Sequence, residues 1–252
     1  MERLLLTLRY DGTNYHGWQV QPNGRTVQET LQDAVEAVTG VRSDVIGCSR
    51  TDAGVHADMF CCTFDTESPL RGDKMAAALN FHLPRDVAVY DVKAVPAAFH
   101  PRYDAQGKRY VYRIWNGSQR HPVYERYALH RNRRLDEALL DRAASAFVGA
   151  HDFAGFCSAD SDTQGSTVRT VTEAKVEREG DLVTFTVSAD GFLYNMVRIM
   201  VGTLLDVADG RLSPEELPAV LDSKDRQRAG ATAPAKGLCL MQVFYSEVSH
   251  EA

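Results

Sequence analysis

Hydrophobic periodicity along this chain alternates between a two-residue and a helical repeat, and it does so in the same order twice. In the first half, residues 3–10 (RLLLTLRY) read as a strand. Thr26 can cap a helix in which Val27, Leu31, Ala34, Val35 and Val38 recur at helical spacing, and Glu29 is placed to complete a capping box. Strand-like runs near 43–48 and 59–65, a helix over 73–82 and a strand over 87–95 finish the order β-α-β-β-α-β, the ferredoxin-like arrangement. The second half repeats that order with longer connections. It has a strand at 109–115, a helix at 135–148 with Leu135, Leu139, Ala143 and Phe147 spaced by four, and a polar loop over 157–169. Strands at 171–178 and 182–189, a helix at 192–208, a shorter helix from Pro214 and a strand at 238–246 follow. The expected fold is α+β, with two ferredoxin-like halves (1–104 and 105–252) whose antiparallel sheets flank a central active-site cleft.

The 252 residues, 44% hydrophobic and 25% charged, are those of a folded globular chain, which excludes collagen-like, low-complexity and wholly disordered classes. No apolar run reaches the roughly 18–20 residues of a membrane span. Leu4-Leu5-Leu6, between Arg3 and Arg9, is too short for a signal-peptide core, so a cytoplasmic protein without membrane association is expected. The five cysteines include no Cys-x-x-Cys pair, and no Cys/His cluster has ligand spacing. Phosphate-cradling and dinucleotide glycine motifs are missing as well. The expectation is therefore no metal and no cofactor.

A net charge of −6 conceals a local bias. Residues 100–134 carry nine cations (Arg102, Lys108, Arg109, Arg113, Arg120, Arg126, Arg131, Arg133, Arg134) against Asp104 and Glu125, a local charge of +7. Tyr103, Tyr110, Tyr112, Trp115, Tyr124 and Tyr127 are interleaved with them. Cations that neutralise phosphates, set among rings that stack on bases, suit a nucleic-acid surface. The same pattern also suits a solvated strand face with ordinary aromatic packing.

Between the second and third strands lies Gly47-Cys48-Ser49-Arg50-Thr51-Asp52-Ala53-Gly54-Val55-His56-Ala57, a stretch with too little apolar content for a core strand. A carboxylate such as Asp52 can serve as nucleophile or charge stabiliser. Arg50 can engage a phosphate or orient a nucleotide, and Gly54 admits close approach of a ligand. Equally, the stretch can be a turn in which Asp52 accepts local backbone hydrogen bonds. In the helix at 192–208, Arg198 sits on the flank of an apolar stripe, from which it can reach a carboxylate or run to solvent.

Arg50-Thr51-Asp52-Ala53-Gly54-Val55-His56-Ala57 resembles the signature of the tRNA pseudouridine synthase A family, and the resemblance runs from end to end. Tyr10-Asp11-Gly12-Thr13, Tyr15 and Gly17-Trp18-Gln19 resemble the family's N-terminal loop, and Thr26-Val27-Gln28 the opening of its first helix. Leu79-Asn80, Leu83-Pro84 and Asp86 follow, then Phe99, Arg102, Asp104-Ala105 and Arg109-Tyr110-Val111-Tyr112. His151-Asp152-Phe153, Phe156, Phe192-Leu193, Met196-Val197-Arg198, Gly202, Gly237-Leu238 and Leu240 complete the match in order. Ile199 departs from the Asn that members often carry after the arginine.

The resemblance implies isomerisation of uridine to pseudouridine at positions 38, 39 and 40 in the anticodon arm of transfer RNA. It implies Asp52 as nucleophile, Arg198 as its basic partner, Tyr110 as the ring stacked on the target base, Arg50 as an aid to base extrusion, and a homodimer. The cations of 102–134 would then face RNA phosphates, with Lys236 a further candidate. Two other readings compete: a non-catalytic RNA-binding protein of the same fold, and a hydrolase pairing Asp52 with Asp58.

Overall fold

The structure, a computed structural model, describes residues 1–158 and 165–246. In chain order the elements are β1 (Glu2–Tyr10), α1 (Val27–Thr39), β2 (Ile46–Gly47), β3 (His56–Thr66), α2 (Gly72–His82), β4 (Val87–Val95), β5 (Ala105–Trp115) and β6 (Leu129–His130). They continue with α3 (Glu137–Ala144), β7 (Gly149–Asp152), β8 (Val168–Glu179), β9 (Leu182–Ala189), α4 (Met196–Ala208), α5 (Leu217–Ser223) and β10 (Leu238–Tyr245). The chain forms two compact units, one of residues 1–106 together with the chain from Cys239 onward, the other of residues 107–238.

In the first unit β1 pairs antiparallel with both β3 and β4, and β2 adds to the far edge of β3. The order β4-β1-β3-β2 is that of the ferredoxin-like motif. Central β1 is apolar on both faces: Leu4, Leu6 and Leu8 are fully buried, and Leu5 and Thr7 on the opposite side are nearly so. Helix α1 buries Val27, Leu31, Ala34 and Val35. Thr26 caps it by accepting the Glu29 N–H at 3.3 Å, and Gly40, at φ 76°, closes it in the left-handed conformation. Asn80 on α2 holds β4 through both ends of its amide, donating to Val89 O (2.6 Å) and accepting from Val89 N (2.8 Å).

Several elements differ from the sequence expectation. The run at 43–48 contracts to Ile46–Gly47, paired with Thr63 and Cys62. That leaves the N-terminal part of the same β3 edge to β10, which pairs in parallel through Cys239↔His56 and Leu240↔Ala57. The last strand thus belongs to the first unit, whereas a division at residue 104 puts it in the second. Strand β3 itself starts at His56, three residues before the expected start, so His56 and Ala57 are buried strand residues.

The second unit is an antiparallel sheet, β5-β9-β8-β7, with β6 beside the end of β5. Alternation is clear: Tyr110, Tyr112 and Ile114 are buried on β5, and Val183, Phe185, Val187 and Ala189 on β9. Helix α3 is shorter than 135–148 because Asp136 caps it, accepting from Leu139 N at 3.0 Å, so Leu135 precedes the helix and Leu140 is buried in place of Leu139. Its end tightens to a 3₁₀ turn over Ser145–Phe147. Helix α4 begins at Met196 and not at 192, because Asn195 sits at φ 61°, outside helical space. Within the polar stretch 157–169, residues 159–164 lie outside those described, and residues from Val168 onward already belong to β8.

None of the five cysteines is in a disulfide, and all five are buried. Burial pushes the Cys61 thiol up to about 11 and Cys62 well above its ordinary value. A thiol that stays protonated and covered does not attack disulfide reagents. At pH 8 the native protein is expected to give almost no reaction with an aromatic disulfide reagent, and all five thiols are expected to appear in guanidinium. A rapid native reaction of even one thiol contradicts this packing.

Candidate active site

The aspartate segment is a turn held from below. Val55 N donates to Asp52 O at 3.1 Å, and Gly54, third of the four residues, has φ 80°. Positive φ at the third position with an ordinary residue at the second defines a type II turn, which calls for glycine there. Gly54 therefore serves the turn itself. Asp52 is half-buried and Arg50 exposed, while Thr51 and Val55 on either side of the turn are buried.

The chain between β1 and α1 grips this turn along its length. Trp18 N donates to Thr51 O (3.0 Å), Gly54 N to Tyr15 O (3.3 Å), and the Tyr10 and Thr51 hydroxyls are bonded at 2.8 Å. Gly12 lies so close to Val55 that a β-carbon would overlap its carbonyl oxygen; at Gly17, whose φ is 83°, it would stand 2.5 Å from Thr51 O. Gly12 N donates to Nδ1 of buried His56 at 3.0 Å, and Asp11 Oδ1 lies 3.2 Å from the same nitrogen. Asp11 also accepts from Thr13 N (3.0 Å) and Thr13 Oγ1 (2.5 Å). Tyr15 donates its hydroxyl to Asp86 Oδ1 at 2.7 Å; burial, followed by that carboxylate, raises its pKa well above the ordinary phenol value. Asp52 is thus carried on a turn fixed by three hydrogen bonds and two close backbone approaches from residues 10–18, a pre-organised placement of the kind catalysis needs.

The other two expected site residues lie in the second unit. Tyr110, 6% exposed on β5, meets Phe192 edge to face, with centroids 5.1 Å apart. Arg198, in the first turn of α4, is half-buried and anchored. Its Nε donates to Ala233 O (2.7 Å) and its Nη1 to Asn195 Oδ1 (2.7 Å), so it does not run out along the core edge to solvent. Neighbouring Tyr112 is fully buried and donates to Pro234 O at 2.8 Å, so both side chains hold the strap at 233–234. Helix α4 is buried nearly all round: Gly202 and Gly230 meet backbone to backbone, and Gly230 N donates to Thr203 Oγ1 at 2.9 Å. The apolar stripe could not show this second covering, although the glycine within it is a signal for close approach.

The basic run is less uniform than its charge count. Lys108 is buried, Arg109 pairs with Glu173 at 3.0 Å, and Arg131 pairs with Asp209 at 2.5 Å. Lys236, a candidate for RNA phosphates, is tied to Glu125 at 2.7 Å. Arg102, Arg120, Arg126, Arg133 and Arg134 are exposed. Trp115, His121 and Tyr124 form a ring cluster, with Trp115 and Tyr124 stacked at 5.2 Å. Among the described residues, no group of three or more His, Cys, Asp or Glu could hold a metal ion, and no helix is long and apolar enough to cross a membrane.

An α+β chain that carries an aspartate on a braced turn, Asp52-Ala53-Gly54-Val55, has an arrangement suited to an enzyme, and comparison gives the family. The family model described as tRNA pseudouridine synthase matches residues 7–104 and 143–246. The tRNA pseudouridine synthase A of Acetivibrio thermocellus is 46% identical over 245 residues, covering 97% of this chain and 100% of that protein. That of Clostridium kluyveri is also 46% identical, and that of Caldicellulosiruptor bescii 43%, each with the same coverage. A crystal structure of a Cbf5-Nop10-Gar1 complex is a distant likeness, with a TM-score of 0.38 and 12% identity over 94% of this chain and 57% of that one. The chain belongs to the tRNA pseudouridine synthase family and is an isomerase.

Proposed function

We propose that this protein isomerises uridine to pseudouridine at positions 38, 39 and 40 in the anticodon arm of transfer RNA, with Asp52 as nucleophile and no cofactor. The observation that supports it most is the block Arg50–Ala57, which resembles the family signature and is folded as a turn in which Thr51, Gly54 and Val55 are held by hydrogen bonds. The bond between N1 and the ribose breaks, the base rotates, and carbon 5 bonds to the same ribose carbon. Carbon 5 loses a proton and N1 gains one, so no oxidant or energy source is consumed. Asp52 promotes the cleavage by attack at the ribose carbon or by assisting deprotonation of the sugar. Tyr110 stacks on the target base, offsetting part of the few kcal/mol that unstacking costs. Arg198 pairs with the carboxylate, and Arg50 helps extrude the base. The assembly proposed is a cytoplasmic homodimer acting on one transfer RNA.

Unmodified transfer RNA transcripts tritiated at uridine carbon 5 test this directly. Incubation without added cofactor should release tritium to water, and transcripts with cytidine at 38, 39 and 40 should release none. Release unaffected by those replacements overturns the assigned positions. Free uracil in place of retained base would show hydrolysis.

His56 supplies a second expectation. His56→Ala removes the acceptor of the Gly12 N–H and should lower kcat on the order of tenfold or more, since small misplacements of catalytic groups cost that much. In His56→Asn the amide oxygen takes the place of Nδ1, and kcat should stay within about threefold of wild type. Equal losses in both variants would show that the imidazole does more than accept this bond.

A further inference from the structure

We propose that Arg131, Arg133 and Arg211, gathered around Asp209 at the C-terminal end of α4, form a site for the phosphodiester backbone of the substrate RNA. The inference rests on the transfer RNA reading above. Arg131 and Arg133 approach Asp209 Oδ1 at 2.5 and 3.8 Å, and Arg211 approaches Oδ2 at 3.0 Å. Arg211 is also held by Asp206, through Nε at 2.9 Å. The Asp209 carboxylate is 14% exposed, whereas the side chains of Arg133 and Arg211 are 68% and 62% exposed. One carboxylate thus gathers three guanidiniums and, with the adjacent exposed Arg134, leaves more positive charge than the two aspartates neutralise. Their pull holds the Asp209 carboxyl below the usual range despite its burial.

An independent observation shows that the approach to this cluster is built. Asn116, 4% exposed just beyond β5, uses its whole amide on the segment that carries these arginines. Its Nδ2 donates to Arg131 O (2.7 Å) and Arg133 O (2.8 Å), and its Oδ1 accepts from Leu135 N (2.9 Å) and Arg178 Nη2 (2.8 Å). Arg178, 8% exposed, also donates to Leu135 O (2.8 Å) and pairs with Glu137 at 2.8 Å. Buried polar networks are costly unless every member is satisfied. This one fixes a surface segment that carries Arg131 and the exposed Arg133 and Arg134, and the planar fork of arginine suits phosphate oxygens. Arg198 is at the opposite end of α4, about 16 Å away along the axis at 1.5 Å per residue. That span corresponds to on the order of five stacked nucleotides at ~3.4 Å each. The cluster would therefore grip a strand several nucleotides from the base whose reaction Arg198 serves.

The test compares wild type with Arg133→Ala/Arg211→Ala and with Arg133→Lys/Arg211→Lys in the full chain. Tritium release and binding of fluorescent transfer RNA are both measured over a range of salt. The alanine pair should raise KM and Kd on the order of tenfold near 0.1 M salt, with kcat within about twofold, and should flatten the log–log salt slope by roughly 1.5. The lysine pair keeps both charges and should recover the wild-type salt slope, whereas a role confined to the ion pairs with Asp206 and Asp209 would leave that slope unchanged in both variants. An unchanged Kd and salt slope in the alanine pair overturns the site. So does a lysine pair whose salt slope is as flat as the alanine pair's, or a changed sedimentation coefficient at unchanged Kd, which would mark a subunit contact. Wild-type binding without tritium release would instead overturn the isomerase reading, while the binding data still decide the cluster.

Discussion

Asp52→Asn is expected to lower tritium release by at least about a thousandfold, the scale on which removal of a nucleophile acts, while transfer RNA binding stays within a few-fold. The substitution is chosen because it keeps the size and shape of the side chain on a turn braced through main-chain atoms. Val55 N donates to the main-chain oxygen of residue 52, Gly54 keeps its φ of 80°, and Trp18 N and the Tyr10 hydroxyl hold Thr51. An amide of the same shape can therefore sit on the same turn without its charge or nucleophilicity. Single-turnover release with enzyme in excess separates chemistry from product departure. Activity above about one hundredth of wild type would remove Asp52 from the chemical step, since such a residue cannot be the group that attacks.

Much of the fold was legible because the signals were local. Strands β1, β4 and β9 alternate or run apolar over lengths that only a strand fits, and Thr26 marks the start of α1 by capping chemistry that sequence displays. Misplaced boundaries have two causes, partners distant in sequence and local conformations that the residues permit without dictating. Strand β3 extends to His56 because β10 pairs there, some 180 residues later in the chain, and no periodicity near His56 carries that information. Likewise α4 starts late because Asn195 adopts φ 61°, a conformation available to asparagine but not dictated by it.

The candidate site divides in the same way. Asp52 and Arg50 stand out in a segment too polar for a core strand, and the resemblance singles them out. What holds Asp52 could not be read from that segment, because its supports come from Tyr10, Gly12, Tyr15 and Trp18. His56 belonged to the motif, yet its partner, the Gly12 N–H, is a backbone group with no sequence signature. The basic run erred in the opposite direction. Its charge count was correct, but Glu125, Glu173 and Asp209 engage part of it, and only geometry shows which guanidiniums face solvent.

Gly12→Ala tests whether those supports matter to chemistry, and kcat is expected to fall on the order of a hundredfold, the cost of about 1 Å of misplacement. The added methyl would overlap Val55 O and stand 2.7 Å from its carbonyl carbon. Both neighbours are backbone, so no flexible side chain can swing aside. Val55 closes the turn that carries Asp52 and is itself 2% exposed, leaving the turn and residues 11–15 to move apart. Overpacking of this kind costs about 1–3 kcal/mol, and in a chain of this size that lowers Tm by about 2–12 °C, at roughly 2–4 °C per kcal/mol. Gly40→Ala provides the contrast. Gly40 also has positive φ, at 76°, but nothing lies within 4 Å of the added carbon, and the helix it ends lies outside the turn and its supports. It should lose about 1 kcal/mol of stability through backbone strain and keep wild-type kcat. If the two variants lose similar stability and only Gly12→Ala loses turnover, placement of Asp52 and not global stability limits the reaction. If Gly12→Ala retains kcat within about threefold, the turn tolerates displacement and residues 10–18 serve folding alone.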